Sequence, residues 1–320
     1  MSAPLVTLGL TTFNAAGTVQ RAVRSATEQS WRNFEIVAVD DCSHDGTLDI
    51  LRRLAAASPE IRVFCNAANV GVAGSRNRIL GEARGEFVAF FDDDDESLPE
   101  RIASQIKRIL DYEREFAGGA PVICHTARRV VYPDGTVRVE PTMGQTVGRR
   151  APAGLAVARR ILLGTPLEDG YGACPTCCQM ARLSTYRAVG GFDPALRRGE
   201  DTDFNIRLAR AGGHFVGIAK PLVIQTMTKT SEKSLAEEYD NWLRLIEKHR
   251  DLLEEAGQFS FCRRWIEAKQ AFLERRHLVF IRRLASLALA HPGHTGRRVL
   301  MALPNLGLNR RFGRFHEGRP

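Results

Sequence analysis

An apolar strand that runs directly into four consecutive aspartates constrains this chain more than any other feature. Residues 87–91 read Phe-Val-Ala-Phe-Phe, an apolar run that is typical of a strand buried on both faces of a sheet. Asp92, Asp93, Asp94 and Asp95 follow at once, so we expect their carboxylates at the carboxyl end of that strand. In an open α/β sheet, the crevice beyond the carboxyl ends of the strands is where ligands bind.

These four carboxylates repel one another, and a bound divalent cation relieves such repulsion most readily. The pattern therefore predicts a metal ion that holds a phosphorylated ligand, with a solvated acidic loop as the alternative. Ser97, Pro99 and Glu100 have the spacing of a capping box with a proline in the first turn. We therefore expect a helix to begin immediately after the acids.

The first 100 residues alternate between apolar strands and amphipathic helices. Strands are predicted at residues 5–10, 35–39 and 61–65 and at the acidic strand itself, with a helix after each. Four such units joined by short links predict an α/β fold with a doubly wound, mostly parallel sheet, right-handed crossovers and helices on both faces.

Polar side chains collect just past these strands. Thr11 and Phe13 follow the first strand, Asp41 follows the second, and the four aspartates follow the fourth. They predict a nucleotide-sized crevice with an aromatic ring for stacking, carboxylates for base and ribose, and a metal position. Arg76 is the best cation for a bound phosphate or nucleobase, with an exposed arginine near the start of a helix as the alternative. Neither GxxxxGK[ST] nor GxGxxG occurs, so P-loop nucleotidases and Rossmann dehydrogenases are not supported.

The second half of the chain is less regular. A strand at residues 122–125 and a hairpin at residues 128–139 with an Asp-Gly turn are predicted, followed by a poorly patterned stretch, residues 145–165, that we expect to be mobile. A short helix at residues 184–189 precedes a second helix whose N-terminus carries Asp201. From spacing alone, that carboxylate is either a plain N-cap or a functional group. Short strands are predicted at residues 215–218 and 222–224.

Four segments, LTTFN, VAVDDCSHDGT, NVGVAGSRN and FFDDDDESLP, occur in an order that resembles the family 2 glycosyltransferases, an inverting group with the GT-A fold. The resemblance covers about the first 100 residues, and GGFDPALRRGED is similar to the family's second hallmark. It implies transfer of a sugar from a nucleotide-diphospho-sugar, with a leaning to uridine, to a hydroxyl of a glycan or lipid-linked acceptor in polysaccharide or other glycoconjugate synthesis. A non-catalytic nucleotide-sugar-binding or scaffold protein with the same fold is the alternative, and a nucleotidyltransferase is a weaker third.

The resemblance also implies roles for individual residues. Phe13 would stack on the base, Asp41 would accept a hydrogen bond from it, and Asp92 would contact the ribose. Asp201 would be the catalytic base. The full set is catalytic Asp201 and Glu200; donor-binding Thr11, Phe13, Asn14, Asp41, Arg76, Asp92 and Asp93; and Asp94 and Asp95 as ligands of Mn²⁺ or Mg²⁺.

The family often places a metal-binding histidine shortly after the strand at residues 222–224. Residues 225–230 contain no histidine here, so the ligand that completes the metal site is open, and Lys229 could supply positive charge to the leaving phosphate instead.

We predict three parts in the chain. Residues 1–116 form a donor-binding half and residues 117–234 form an acceptor-binding and catalytic-base half. Residues 235–320 form a basic helical extension at the C-terminus. Residues 260–320 carry thirteen Lys or Arg against three Glu, whereas the whole chain has a net charge of +8. This extension has three alternative roles. It packs on the rest of the protein or on a second subunit, it contacts an anionic membrane surface, or it binds nucleic acid. Nucleic acid is the weakest, because no recognition module accompanies the charge.

Cysteine content and apolar run lengths indicate the redox state and the location of the protein. The seven cysteines are an odd number in a long chain, so we expect reduced thiols, and the single CxxC at residues 174–177 lacks the second ligand pair that zinc needs. The N-terminus has no basic segment before an apolar run, and the apolar runs are far short of the ~20 residues that span a bilayer. We therefore expect a cytoplasmic protein that could lie peripherally at the inner face of the membrane.

Overall fold

The structure is a computed structural model that describes residues 3–227 and 235–302. The chain divides into two compact units, Met1–Thr228 and Lys229–Pro320, and the candidate site lies in the first. The strands of the first unit are β1 Val6–Thr12, β2 Phe34–Asp40, β3 Ile61–Cys65, β4 Phe87–Asp92, β5 Glu96–Ser97, β6 Val122–Val131, β7 Val137–Glu140, β8 Gln179–Arg182 and β9 His214–Thr226. Its α-helices are α1 Val19–Thr27, α2 Thr47–Ala57, α3 Gly71–Glu82, α4 Arg101–Tyr112, α5 Gly154–Leu163, α6 Leu183–Val189 and α7 Glu200–Arg210.

Within the described residues, the nine strands form one sheet in the order β3-β2-β1-β4-β8-β6-β9-β5, with β7 paired to β6. The first four strands in this order are parallel, β8 is antiparallel to both of its neighbours, and β6 is parallel to β9. The predicted α/β fold with a mostly parallel sheet is confirmed. One sheet runs through the whole unit, so the division at residue 116 into donor and acceptor halves stays a functional prediction.

The register of β1 brings the polar strand ends together. Thr11 pairs with Asp92 of β4 on one side, and Thr12 pairs with Asp40 of β2 on the other. Helix α3 packs closely on this part of the sheet, because a side chain at Gly9 would come within 2.6 Å of Ile79. The four predicted strand and helix units are all present, and β3 has the bounds that the sequence predicted.

The prediction for the segment after the acids is wrong. Ser97 lies in the short strand β5, where it pairs with Val223 of β9, and α4 begins only at Arg101 without a side-chain cap. The Ser97 hydroxyl accepts a hydrogen bond from the buried Arg101 guanidinium at 2.8 Å, and Glu100 pairs with Lys220 instead of closing a capping box. Strand pairing and a buried arginine therefore override the local capping signal.

Other segments of the second half also differ from prediction. Residues 145–165 contain α5, whose Val157 and Ala158 are buried, so this part is a packed helix instead of a mobile segment. The two short strands predicted after residue 214 are one strand, β9, with a register irregularity opposite Thr126 and Ala127. The predicted hairpin is confirmed, although its first strand begins at Val122. Helix α6 ends at Val189, and the Gly190 that follows has a positive φ of 83°, the left-handed conformation that favours glycine.

The second unit is helical in its described part, as predicted. Its helices are α8 Leu235–Lys248, α9 Arg250–Glu255, α10 Phe259–Leu273, α11 His277–Ala290 and α12 Pro292–Ala302. Lys229 and the basic residues beyond position 302 lie outside the described residues. All seven cysteines are free thiols, as expected. None of the helices in the described ranges combines the length and hydropathy that crossing a bilayer requires.

His125 gives the first testable prediction. It is fully buried on β6, where its ring stacks on Phe215. Burial lowers its pKa to about 3, and the charges of Arg101 and Arg128 act in the same direction. The unfolded chain binds this proton near pH 6.5 and the folded chain does not. The free energy of unfolding should therefore fall by up to about 1.4 kcal/mol per pH unit from this group as the pH drops from 6 to 4.

Urea denaturation at several pH values measures this slope. We expect His125→Gln to flatten it, because the variant removes the proton that only the unfolded chain binds. His277→Gln, at an exposed histidine of α11, is the matched control and should leave the slope unchanged. Equal slopes for the parent and His125→Gln would contradict the prediction.

Candidate active site

A buried arginine joins the acidic strand end to the N-terminus of α7. Arg76 lies in the middle of α3 and is 4% exposed. Its Nη2 donates to Asp92 Oδ1 at 3.1 Å, and its Nη1 donates to Glu200 Oε1 at 2.7 Å. The guanidinium lies over the rings of Phe90 and Phe192, at 5.9 and 5.5 Å from their centroids. The alternative of an exposed arginine near a helix start is wrong.

The charges around Arg76 explain why it stays ionised although it is buried. Burial alone would lower its pKa, but the carboxylates of Asp92, Glu200 and Asp201 raise it above its ordinary value. Both terminal nitrogens of Arg76 bind protein carboxylates. Its predicted contact with a phosphate or nucleobase stays a prediction, whereas its contacts in the structure make it a positioning residue that joins Asp92 to Glu200, which lies 124 positions from Arg76 in the sequence.

Asp93 and Asn14 hold the loop that follows β1. Asp93 Oδ2 accepts a hydrogen bond from the Phe13 backbone N–H at 2.9 Å. Burial, together with the neighbouring charges of Asp94 and Asp92, raises the pKa of Asp93 to about 7. Asn14 adopts a positive φ of 49°, donates its N–H to Ser43 Oγ and accepts from the His44 N–H. Phe13, Asn14 and Asp93 are therefore held in one connected stretch of the rim.

The two aspartates at the end of β2, Asp40 and Asp41, accept hydrogen bonds from other residues of the protein. Asp40 accepts hydrogen bonds from the backbone and hydroxyl of Ser43 and from Thr12 Oγ1. Asp41 is 4% exposed and accepts from the N–H groups of Val70 and Gly71, where α3 begins, and from the Asn66 side chain. Three bonds leave about one lone-pair direction of Asp41 for a ligand. Thr11, 8% exposed, pairs with Val39 of β2 and Asp92 of β4 near the end of β1.

The side chain of Asp95 is buried and lies close to Cys177. Its Oδ1 accepts from the Thr226 N–H at 3.0 Å, and its buried Oδ2 has no hydrogen-bond partner among the described residues. Ligand atoms of Asp92, Asp95 and Cys177 lie within 4.8 Å of one another. Burial, followed by the charges of Cys177, Asp92 and Asp94, raises the pKa of Asp95. A divalent cation fits this position, because it would satisfy the orphaned oxygen and offset the repulsion.

The first turn of α7 carries the two predicted catalytic acids. Gly199, with a φ of 74°, precedes the helix, so the N-cap position is not occupied by Asp201 and the plain N-cap alternative is wrong. Asp201 Oδ1 accepts from the backbone and hydroxyl of Thr202, and no described residue donates a hydrogen bond to Oδ2. Burial and the Asp201 charge raise the pKa of Glu200, against the opposing effect of Arg76.

Sequence reasoning missed three residues of this region. Cys177 belongs to a CxxC that lacks the ligands for zinc and is expected to hold reduced thiols, yet it lies beside Asp92 and Asp95. Thr226 binds Asp95 through its backbone, which no side-chain pattern reveals. Arg21 of α1 donates to the carbonyl of Asp94 at 2.9 Å and pairs with Glu96. For Arg21 and Thr226 the sequence contains no signal, because the contacts depend on how distant strands and helices pack.

Comparison with solved structures identifies the fold. The crystal structure of S. aureus TarS 1–349 in complex with UDP-GlcNAc superimposes with a TM-score of 0.56 over 98% of this chain and 90% of that chain, at 19% identity. The shared architecture is the GT-A fold that the sequence resemblance implied.

Comparison of sequences identifies the family. Residues 7–156 match the family model described as glycosyl transferase family 2. The chain is 38% identical over 200 residues to the succinoglycan biosynthesis protein ExoO of Rhizobium meliloti, covering 62% of this chain and 53% of ExoO. It is 34% identical over 114 residues to the UDP-Glc:alpha-D-GlcNAc-diphosphoundecaprenol beta-1,3-glucosyltransferase WfaP of Escherichia coli, covering 35% of this chain and 43% of WfaP. These matches place residues 7–156 in glycosyltransferase family 2, and the chain spans about half the length of these curated relatives.

The buried ion pairs of Arg76 give a second prediction. Arg76→Met would leave Asp92 and Glu200 without their shared cation, and breaking a buried pair from one side typically costs about 3–5 kcal/mol of stability. The double variant Arg76→Met/Glu200→Gln should recover part of this loss, because it removes one of the two stranded charges. Chemical denaturation measures both values.

The control for this pair of variants is Arg53→Met, which removes an exposed arginine from α2 and should change stability by no more than about 0.5 kcal/mol. A similar, small change for Arg76→Met would show that the two ion pairs do not stabilise the site.

Proposed function

We propose that this protein is a metal-dependent inverting glycosyltransferase that moves a sugar from a UDP-sugar to an acceptor hydroxyl in polysaccharide or other glycoconjugate synthesis. The observation that carries the proposal is the Asp92–Arg76–Glu200 chain of ion pairs, which brings the acidic strand end and Asp201 into one site. The UDP-GlcNAc complex of TarS and the UDP-glucose donor in the name of WfaP support a UDP-sugar.

The donor nucleotide would lie along the rim formed by the ends of β1, β2 and β4. Phe13 would stack on the base, and the remaining lone pair of Asp41 would accept a hydrogen bond from a base N–H. Asp92 would bind the ribose. Asn14 and Asp93 hold the Phe13 loop in place, and Thr11 lines the same pocket.

Asp94 and Asp95 would hold Mn²⁺ or Mg²⁺, with Cys177 and Asp92 beside Asp95. When bound, the cation would neutralise charge on the departing nucleoside diphosphate. The chain's own residues prepare this position, because Thr226 fixes one oxygen of Asp95 and Arg21 fixes the backbone at Asp94.

Asp201 would remove the proton from the acceptor hydroxyl, which then attacks the anomeric carbon in line and inverts it. Its Oδ1 is held by Thr202, so Oδ2 is the oxygen that would take the proton. The N-terminus of α7 favours the charged carboxylate. Glu200 would keep Arg76 in place beside this base, as a positioning residue rather than a proton acceptor.

Substitution of the base is the third prediction. Asp201→Asn should lower the turnover of a UDP-sugar, measured as release of UDP, by about 10²–10⁴-fold, the usual contribution of a general base. Donor affinity should change little, because Asp201 acts on the acceptor side. Asp49→Asn, at an exposed aspartate of α2, is the matched control. Turnover of Asp201→Asn at the parent rate in a folded protein would contradict the assignment.

Removal of a metal ligand is the fourth prediction. With UDP and Mn²⁺ at a hundred times the dissociation constant, the parent should gain about 2.7 kcal/mol of stability, seen as a thermal shift. Asp94→Ala should lose the part of that shift that depends on Mn²⁺, whereas Asp49→Ala should keep it. An unchanged Mn²⁺-dependent shift in Asp94→Ala would remove this residue from the metal site.

A non-catalytic nucleotide-sugar-binding protein is the second candidate, favoured by the absence of histidine from residues 225–230. Slow hydrolysis of the donor distinguishes the two functions without knowledge of the acceptor. A transferase should release UDP from its UDP-sugar in the presence of Mn²⁺, and a binding protein should bind the donor without releasing UDP.

A further inference from the structure

Helix α11 of the second unit turns apolar side chains toward solvent. Leu278 is 85% exposed, Ile281 60% and Leu289 87%, whereas Leu287 of the same helix is fully buried. At 100° per residue, Leu278, Ile281 and Leu289 fall on one side of the helix and Leu287 falls on the other. Three large apolar residues in one exposed row differ from the scattered single ones that ordinary surfaces carry. We call this row the α11 face.

Arginines border the α11 face along one edge. Around the helix, Arg282 lies about 20° beyond Leu289, at the edge of the α11 face, and it makes no ion pair among the described residues. A concave pocket of about 400 Å³ lies between α10 and α11, lined by Arg264, Glu267, Val279, Arg282, Arg283 and Ser286. Arg264 Nη2 donates to Ser286 Oγ at 2.6 Å, and Arg283 Nη1 donates to the Glu267 carbonyl at 2.6 Å, so neutral partners hold two of the three guanidinium groups.

We propose that the α11 face and this arginine pocket bind the phosphate head groups of anionic lipids at a membrane surface. Guanidinium groups bind phosphate oxygens through paired N–H donors, and exposed leucines and isoleucines enter the boundary between head groups and acyl chains. The pocket and the apolar row lie on adjacent sides of one helix, so both contacts can form at once. The proposal does not depend on sugar transfer.

Charge favours an anionic bilayer at the α11 face over the chain's own C-terminal residues and over a second copy of the protein. The chain's own residues 303–320 carry four arginines and one glutamate, so like charge opposes their docking beside Arg264, Arg282 and Arg283. A second copy of the same face would bring the same arginines against themselves. An anionic bilayer has the complementary charge, and each basic residue near such a surface strengthens binding.

Vesicle co-sedimentation of the full chain tests the proposal. We expect binding to mixed phosphatidylcholine and phosphatidylglycerol vesicles to be at least about tenfold stronger than to phosphatidylcholine alone, and to weaken as salt is added. Leu278→Gln/Leu289→Gln and Arg264→Gln/Arg282→Gln should each reduce binding by about tenfold or more, because they remove the apolar and the phosphate contacts separately.

Two controls match these variants in chemistry. Leu155→Gln changes a 46% exposed leucine of α5, and Arg53→Gln removes an exposed arginine of α2. Both should bind vesicles as the parent does. Thermal unfolding and light scattering of every variant show whether the fold and the oligomeric state are retained.

Three results would overturn the proposal. The parent could bind both kinds of vesicle equally, or the variants at the α11 face could bind as tightly as the controls. A parent that is dimeric without lipid and becomes monomeric in Leu278→Gln/Leu289→Gln would assign the α11 face to a second copy. A competition with inorganic phosphate would support both contacts if phosphate abolished vesicle binding by Leu278→Gln/Leu289→Gln but not by the parent. Only the parent retains the apolar contact when phosphate blocks the arginines.

Discussion

A single buried guanidinium between two carboxylates organises the candidate site. Arg76 binds Asp92 at the end of β4 and Glu200 at the start of α7, two segments that are far apart in the sequence. The planar guanidinium presents separate donors to the two carboxylates in a fixed geometry, so lysine would not be an equivalent replacement. The rings of Phe90 and Phe192 pack against one side of the buried guanidinium and help to exclude water, which strengthens both ion pairs and fixes the acid-bearing turn of α7 relative to the sheet.

Backbone N–H groups hold the aspartates at the end of β4 close together although their carboxylates repel one another. The Phe13 N–H binds Asp93, and the Thr226 N–H binds Asp95, so separate segments of the chain fix neighbouring aspartates. Burial and mutual repulsion raise the pKa of both groups, which means that the folded protein keeps these carboxylates where their charged forms are unfavourable. A cation would lower that energy, and this is the physical basis for assigning a metal to this end of the sheet.

The local sequence pattern predicted most strands and helices, whereas the contacts between distant segments depend on tertiary packing. The alternation of apolar runs and amphipathic segments predicted β1 to β4 and their helices, because β1, β2 and β4 are buried on both faces and β3, at the edge of the sheet, is partly buried. It failed at Ser97, where pairing of β5 with β9 replaced the expected cap. The candidate donor and base residues came from motifs, but the Arg76 to Glu200 bond and the approach of Cys177 to Asp95 span 124 and 82 positions, and no local pattern contains them.

The most direct measurement is the position of manganese in crystals of the protein grown with UDP and Mn²⁺, read from anomalous diffraction. We predict one peak in contact with the carboxylates of Asp94 or Asp95 and with the diphosphate, and a base stacked on Phe13, with Asp201 facing the space beyond the terminal phosphate. A manganese peak remote from these aspartates, or UDP bound away from the ends of β1 and β4, would contradict the assignment of this rim as the donor and metal site.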